Sequence, residues 1–162
     1  MKIIVISDTH IPERANKIPR QVIDVIKKAD MLVHAGDFVD LSVLDLLKEA
    51  CPNLKAVWGN MDNFKIKKTL PEKEIFRAGK YNIGIMHGFG PPGKLIEFLS
   101  DAFKNDTVDV IIFGHSHQGH NQRIGDILFF NPGSLTDEIF SSYNSYGIIQ
   151  INDEIEASIV KL

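Results

Sequence analysis

The chain has 162 residues, 44% of them hydrophobic and 24% charged, which fits one globular domain with a sizeable core and excludes a disordered or fibrous protein. Its net charge of -3 at pH 7 gives no reason to expect binding along an extended nucleic acid, which needs many phosphate-neutralising contacts. Cys51 is the only cysteine, so an intrachain disulfide is excluded and a reducing compartment is expected.

Met1-Lys2 leads into Ile3-Ile4-Val5-Ile6, an apolar run too short for a secretion signal and well suited to a buried strand. Pro19 then opens a helix whose apolar face carries Val22, Ile23 and Ile26. Met31–Val33 is a second strand. A second helix follows with Asp40 or Ser42 as its cap, Leu44 and Leu47 on its face, and Pro52 as its stop. Leu54–Trp58, Ile83–Met86 and Val110–Phe113 complete a set of five apolar runs. A third helix spans Lys94–Lys104 and presents Leu95, Phe98, Leu99 and Ala102. The βαβαβ opening predicts parallel strands. Beyond it, Gln118–Ile124, Ile127–Phe130, Tyr146–Ile151 and Ile155–Val160 read as strands joined by turns such as Gly125-Asp126 and Asn152-Asp153, which predicts an antiparallel C-terminal part. No apolar stretch approaches a membrane span. A single domain over residues 1–162, cytoplasmic and not associated with a membrane, is expected.

Chemistry-bearing residues follow each of the five runs. Asp8 and His10 follow the first, Gly36-Asp37 the second, Gly59-Asn60-Met61-Asp62 the third, His87-Gly88 the fourth and Gly114-His115-Ser116-His117 the fifth. Ligand crevices of open α/β sheets lie at the carboxyl ends of strands, so these groups are expected to meet at one edge. Carboxylates mixed with neutral imidazoles suit Mn, Fe or Zn better than Ca or Mg. The seven groups Asp8, His10, Asp37, Asn60, His87, His115 and His117 are too many for one ion. Two ions ~3.5–4 Å apart, sharing a carboxylate, can clamp a phosphoryl group and activate a water.

The ordered series D-x-H, G-D, G-N-x-D, H-G and G-H-x-H, from Asp8 to His117, resembles the calcineurin-like metallophosphoesterase superfamily. The lack of a cap domain, the Gly-Asn-Met-Asp form of the third motif and the turn Asn131-Pro132-Gly133-Ser134 resemble its small YfcE-like phosphodiesterase branch. Asp8-Thr9-His10-Ile11-Pro12-Glu13-Arg14 is also similar to the start of the retromer subunit that shares the fold. The resemblance implies an α/β protein built as a four-layer αββα sandwich with two mixed sheets. It implies that Asp8, His10, Asp37 and His117 hold a first metal, and that Asp37, Asn60, His87 and His115 hold a second, with Asp37 as bridge. Asp37, Asn60 and His87 would carry the catalysis. Mn is the metal the branch often uses, with Fe, Zn, Ni or Mg as alternatives. The implied activity is phosphodiester hydrolysis on a small substrate, with a bridging hydroxide attacking phosphorus in line. The rival is a protein-binding scaffold of the same fold, as in the retromer subunit.

Met61 departs from the family pattern, because many members carry a histidine there that protonates the leaving group, and methionine has no proton to transfer. The proton must then come from a metal-bound water or another residue, or be unnecessary. Better action on diesters with acidic leaving groups than on alkyl monoesters is expected. Asp62 either orients a metal ligand or is a solvated turn residue. His34, inside the second run, is read as a packed histidine, and His120 as an outer strand residue in preference to a substrate contact. Lys65, Lys67 and Lys68 read as a solvated loop. Gly88–Leu95 matches the P-loop pattern, but Leu95 replaces the magnesium-binding hydroxyl and Pro91 and Pro92 lack N–H donors, so the segment is read as site rim. The oligomeric state is left open, with Phe129-Phe130 and Phe140 suited to a core or to an interface between copies.

Overall fold

In the computed structural model, which describes residues 1–137 and 139–162, the first strand shows why the apolar runs are continuous. Strand β1 (Lys2–Ile6) buries Ile3, Ile4, Val5 and Ile6 completely. Successive side chains of a strand point to opposite faces. Ile3 and Val5 enter a core between two sheets, while Ile4 and Ile6 enter a second core beneath helices. A strand covered on both sides needs apolar residues at every position.

Helix α1 (Arg20–Ile26) buries Val22 and Ile26 against the outer face of that sheet. Strand β2 (Met31–His34) runs parallel to β1 with Ile3 opposite Met31. Helix α2 (Leu41–Ala50) is capped by Asp40, whose side chain accepts the Ser42 N–H at 2.9 Å. Strand β3 (Leu54–Ala56) is parallel to β2 and shorter than the sequence suggests: the Val57 N–H still donates to the His34 carbonyl at 3.2 Å, but Trp58 turns out of the sheet and donates to the Pro71 carbonyl at 3.0 Å. The first sheet is completed by β9 (Ser145–Ile151), antiparallel to β1, and β10 (Ile155–Lys161), in the order β10-β9-β1-β2-β3.

Two elements escaped the sequence reading. Helix α3 (Phe64–Thr69) carries the Lys65, Lys67 and Lys68 expected in a loop. It buries only Ile66, too little to give a periodic signal, and it is set by Asn63, whose side chain accepts the N–H groups of Lys65 and Ile66. Strand β4 (Lys73–Ala78) is a sheet edge that buries only Phe76 and Ala78. It forms a hairpin with β5 (Tyr81–Met86) across Gly79, whose φ of 60° needs the freedom of glycine.

Helix α4 (Leu95–Ala102) leads to β6 (Val110–Ile112), and β7 (Gly119–Ile124) and β8 (Ile127–Pro132) form a hairpin. The second sheet has the order β4-β5-β6-β8-β7. The C-terminal part is therefore mixed, not wholly antiparallel: β8 lies parallel to β6 with Val110 opposite Leu128. Apolar residues on both faces of β8 admit it to the sheet interior, with Leu128 and Phe130 between the sheets and Phe129 under α4. Phe129 and Phe130 thus belong to the core, whereas Phe140 is 63% exposed. The expectation of a four-layer αββα sandwich with two mixed sheets holds: α1 to α3 cover one sheet and α4 covers the other. Among the described residues, no helix is long and apolar enough to cross a membrane.

Candidate metal centre

The parallel strands β1, β2, β5 and β6 deliver their following loops to one edge of the sandwich. Asp8, His10, Asp37, His87, Asn60, His115 and His117 meet there. Five of them, Asp8, His10, Asp37, His115 and His117, have positive φ between 43° and 68°. Side chains other than glycine adopt that backbone only when the surroundings compel it, and such positions cluster at functional sites. The surroundings are explicit. Ser134 Oγ donates to the Asp8 carbonyl at 2.7 Å, and the Leu135 N–H donates to the Ser7 carbonyl at 3.1 Å. Asn131 Nδ2 donates to the Gly114 carbonyl at 2.7 Å. The Asn131-Pro132-Gly133-Ser134 turn therefore clamps the first and last ligand loops together.

Asp62 does the same for the middle loops. Its buried carboxylate accepts the N–H groups of Asp37 at 3.0 Å, Val39 at 2.7 Å and Gly59 at 2.8 Å. Burial raises its pKa against these bonds. Asp62 is thus a tie between the Gly36-Asp37 and Gly59-Asn60 loops, not a solvated turn residue.

The imidazoles report their own protonation. His87 Nδ1 stands 2.7 Å from the Ala35 carbonyl, and His115 Nε2 stands 2.9 Å from the Gly90 carbonyl. Carbonyls only accept, so these nitrogens carry the hydrogens. His117 Nδ1 likewise lies against the Asp137 carboxylate. In their neutral forms His87 Nε2, His115 Nδ1 and His117 Nε2 therefore turn lone pairs inward. There they face more lone pairs. Asn60 Oδ1 is 3.1 Å from His87 Nε2 and 2.9 Å from His115 Nδ1. Asp37 Oδ2 is 3.3 Å from His87 Nε2 and 3.6 Å from His10 Nε2. Asp8 Oδ1 is 3.3 Å from His117 Nε2. His10 Nε2 lies 3.2 Å from His117 Nε2. Acceptors converging on acceptors call for cations between them.

The electrostatics agree. Burial opposes ionisation of Asp8, yet the His117 hydrogen bond and the charges of His87 and His117 hold its pKa far below the usual range. Asp37 is lowered by His87 against the same cost of burial. Burial also resists a charge on His87, but the Asp37 hydrogen bond and the Asp8 and Asp37 charges push it up to about 9. Without ions, the cluster draws in protons instead. Two overlapping sets, Asp8/His10/His117 and Asp8/Asp37/His87, have ligand atoms within 4.8 Å of one another. The residues present fit divalent cations by donor type and convergence.

The remaining expected residues lie around this cluster. His34 is buried beneath it, stacked on Phe38 with ring centroids 3.5 Å apart, and burial lowers it to about 3. His120 stays outside the cluster: it leaves on β7, tilts against Phe113 and faces a separate groove with Pro92 and Ser116. Met61 is 45% exposed on the groove over the cluster. The loop 88–94 forms the rim through Gly90 and Pro92. Sequence reasoning missed Asp137, which meets His117 only through the fold.

A model of the calcineurin-like phosphoesterase superfamily domain matches residues 1–154. A probable metallophosphoesterase of Methanocaldococcus jannaschii is 37% identical over 164 residues, covering 100% of this chain and 82% of that protein. A phosphodiesterase of the same organism is 30% identical over 143 residues, covering 82% of this chain and 83% of its own length. The crystal structure of Vps29 from Entamoeba histolytica complexed with zinc superposes with a TM-score of 0.78 at 25% identity, covering 99% of both chains. With its ordered motifs gathered at one sheet edge, the chain belongs to the calcineurin-like phosphoesterase superfamily.

Proposed function

We propose that this chain is a metal-dependent phosphodiesterase with a dinuclear centre. The observation that carries the reading is the convergence of His87 Nε2, His115 Nδ1 and Asn60 Oδ1 as mutual acceptors beside Asp37. Asp8, His10, Asp37 and His117 would hold one ion, and Asp37, Asn60, His87 and His115 the other. Asp37 Oδ2 stands between His10 and His87 and suits the bridge. Asp8 Oδ1 also lies 3.9 Å from both His10 and His87, so both carboxylates share the negative charge of the cluster. Two divalent ions held there, Mn foremost and Fe, Zn, Ni or Mg as alternatives, would supply charge neutralisation for the phosphoryl oxygens and activation of the attacking water.

The chain's own residues do the rest. The carbonyls of Ala35 and Gly90 and the carboxylate of Asp137 fix the imidazole tautomers. Arg14 lines the groove over the cluster, with its charge shared with Asp137. Met61 brings no proton to that groove, so esters with acidic leaving groups are favoured.

The test is hydrolysis of bis(p-nitrophenyl) phosphate by protein stripped of metal and reloaded with Mn. Turnover that disappears in Asp37→Ala supports the reading. The likeness to Vps29 favours a second reading, a protein-binding scaffold with a metal site of little catalytic use. Stoichiometric metal without turnover would select it.

A further inference from the structure

A second cleft opens beside the ion cluster. It has a volume of about 430 Å³, within the range of small-molecule sites, and it shares Asn60 and His87 with the metal centre. Its walls are apolar and mainly aromatic: Trp58 from the loop after β3, Met86 at the end of β5, Phe89 from the rim loop and Phe98 from α4. Phe89 is 66% exposed, and its ring lies nearly parallel to His115, with an interplanar angle of 27° and centroids 6.4 Å apart. A large ring held open to solvent next to a metal-binding imidazole has no packing role to account for it. Lys67 stands at the junction. Its Nζ is 5.0 Å from the Trp58 ring and 3.3 Å from the Asn60 carbonyl oxygen.

We infer that this cleft receives a flat aromatic group carried on one ester arm of the substrate, so that the substrate class is an aryl or nucleoside phosphodiester. The inference rests on the phosphodiesterase reading. A diester has two arms, and two grooves meet at Asn60: this cleft, and the groove lined by Arg14, Met61 and Phe140. A phosphoryl group over the cluster must send its arms along them. Aromatic faces bind flat rings by stacking, with little regard to sequence or substituent. Glu72 on the same wall disfavours a second phosphate there, and Lys67 places positive charge where the phosphodiester anion enters.

Trp58 is the only tryptophan, so its fluorescence reports occupancy of the cleft directly. Zinc-loaded protein is titrated with adenosine 5′-monophosphate and with ribose 5-phosphate, which differ only in the base, and then with phenyl and methyl phosphate. Calorimetry repeats each titration on Phe89→Ala and Trp58→Leu. The expected result is quenching by the ring-bearing ligand of each pair and about tenfold tighter binding than its partner, from the usual strength of base–aromatic stacking. Either substitution should reduce that ratio to about two or less. Adenosine preference without phenyl preference identifies a nucleobase as the ring, and the converse identifies an aryl group. Equal binding within each pair, or a ratio unchanged in both variants, overturns the cleft's role while leaving the metal reading intact. If no phosphate binds and bis(p-nitrophenyl) phosphate is not hydrolysed, both fall.

Discussion

The carboxylate of Asp137 lies against Nδ1 of His117, and Arg14 reaches the same carboxylate oxygen from the other side. Burial works against its charge, but the Ile139 and Phe140 N–H groups and the His117 and Arg14 charges keep its pKa low. On the proposed reading Asp137 would act on a metal through His117, by holding the ring with its Nε2 turned inward. Asp137→Asn keeps the shape and weakens that hold. Removing such a supporting carboxylate typically costs 10–100-fold in metal affinity. Calorimetric titration with Zn or Mn should find one of two sites weakened by about that factor and the other nearly unchanged. Equal weakening of both sites would contradict the assignment of His117 to one ion.

Metal uptake should release protons. In the ion-free protein, opposing carboxylates hold His87 protonated up to about pH 9, and His117 is raised as well. A ligand nitrogen must shed its proton before it binds. Affinity should therefore climb between pH 7 and 9 and level off above. Titrations at pH 7 in buffers of different ionisation enthalpy should count at least one proton released per protein.

Stability of the ion-free protein should peak near pH 6.5. His34 has a folded pKa of about 3 and an unfolded value of 6.5, so the unfolded state binds more protons between these limits and stability falls as pH drops. From 6.5 to pH 5 the loss is ~2 kcal/mol, at 1.36 kcal/mol per unit. His87 works in the opposite sense. Its folded pKa of about 9 exceeds 6.5, so its contribution is present at lower pH and is lost as pH rises through 9, a change of ~3 kcal/mol. Urea titrations from pH 5 to 9 should trace both limbs. Saturating metal should remove the alkaline one, because the ions replace the protons on His87.

Met61→His tests the missing proton donor. Met61 sits on the groove with Arg14 and His115 and its main chain donates to Asp37 Oδ1 at 2.8 Å, so the backbone there is already anchored. A histidine at this position would supply a general acid, which contributes typically 10²–10⁴-fold where protonation limits the rate. The variant should gain on alkyl diesters and gain little on p-nitrophenyl esters. Equal gain on both would mean that leaving-group protonation does not limit the native reaction.

The strand ends were legible because strands covered on both faces write unbroken apolar runs, and each run stops where a candidate ligand begins. Ile3–Ile6 before Asp8 and Val110–Phe113 before His115 are the clearest cases. Helix α3 and strand β4 were not legible, since Ile66 alone, or Phe76 with Ala78, buries too little for a period to emerge. The parallel pairing of β8 with β6 depends on a crossover choice that the short Gly125-Asp126 turn does not reveal. Within the site, the ligands stand beside glycines and in paired motifs. Asp137 has no such neighbour, and Trp58, though it stands beside Gly59, closes an apolar run and reads there as a strand residue. Their roles come from which loops the two sheets bring together, and that is a property of the packed whole.

The left-handed backbone at Asp8, His10, Asp37, His115 and His117 has a wider consequence. These residues are wound into place by the turn at Asn131–Ser134 and by Asp62, with protein contacts alone. A frame tied by its own buried hydrogen bonds is stiff, and stiffness limits the size of cation such a cradle would accept.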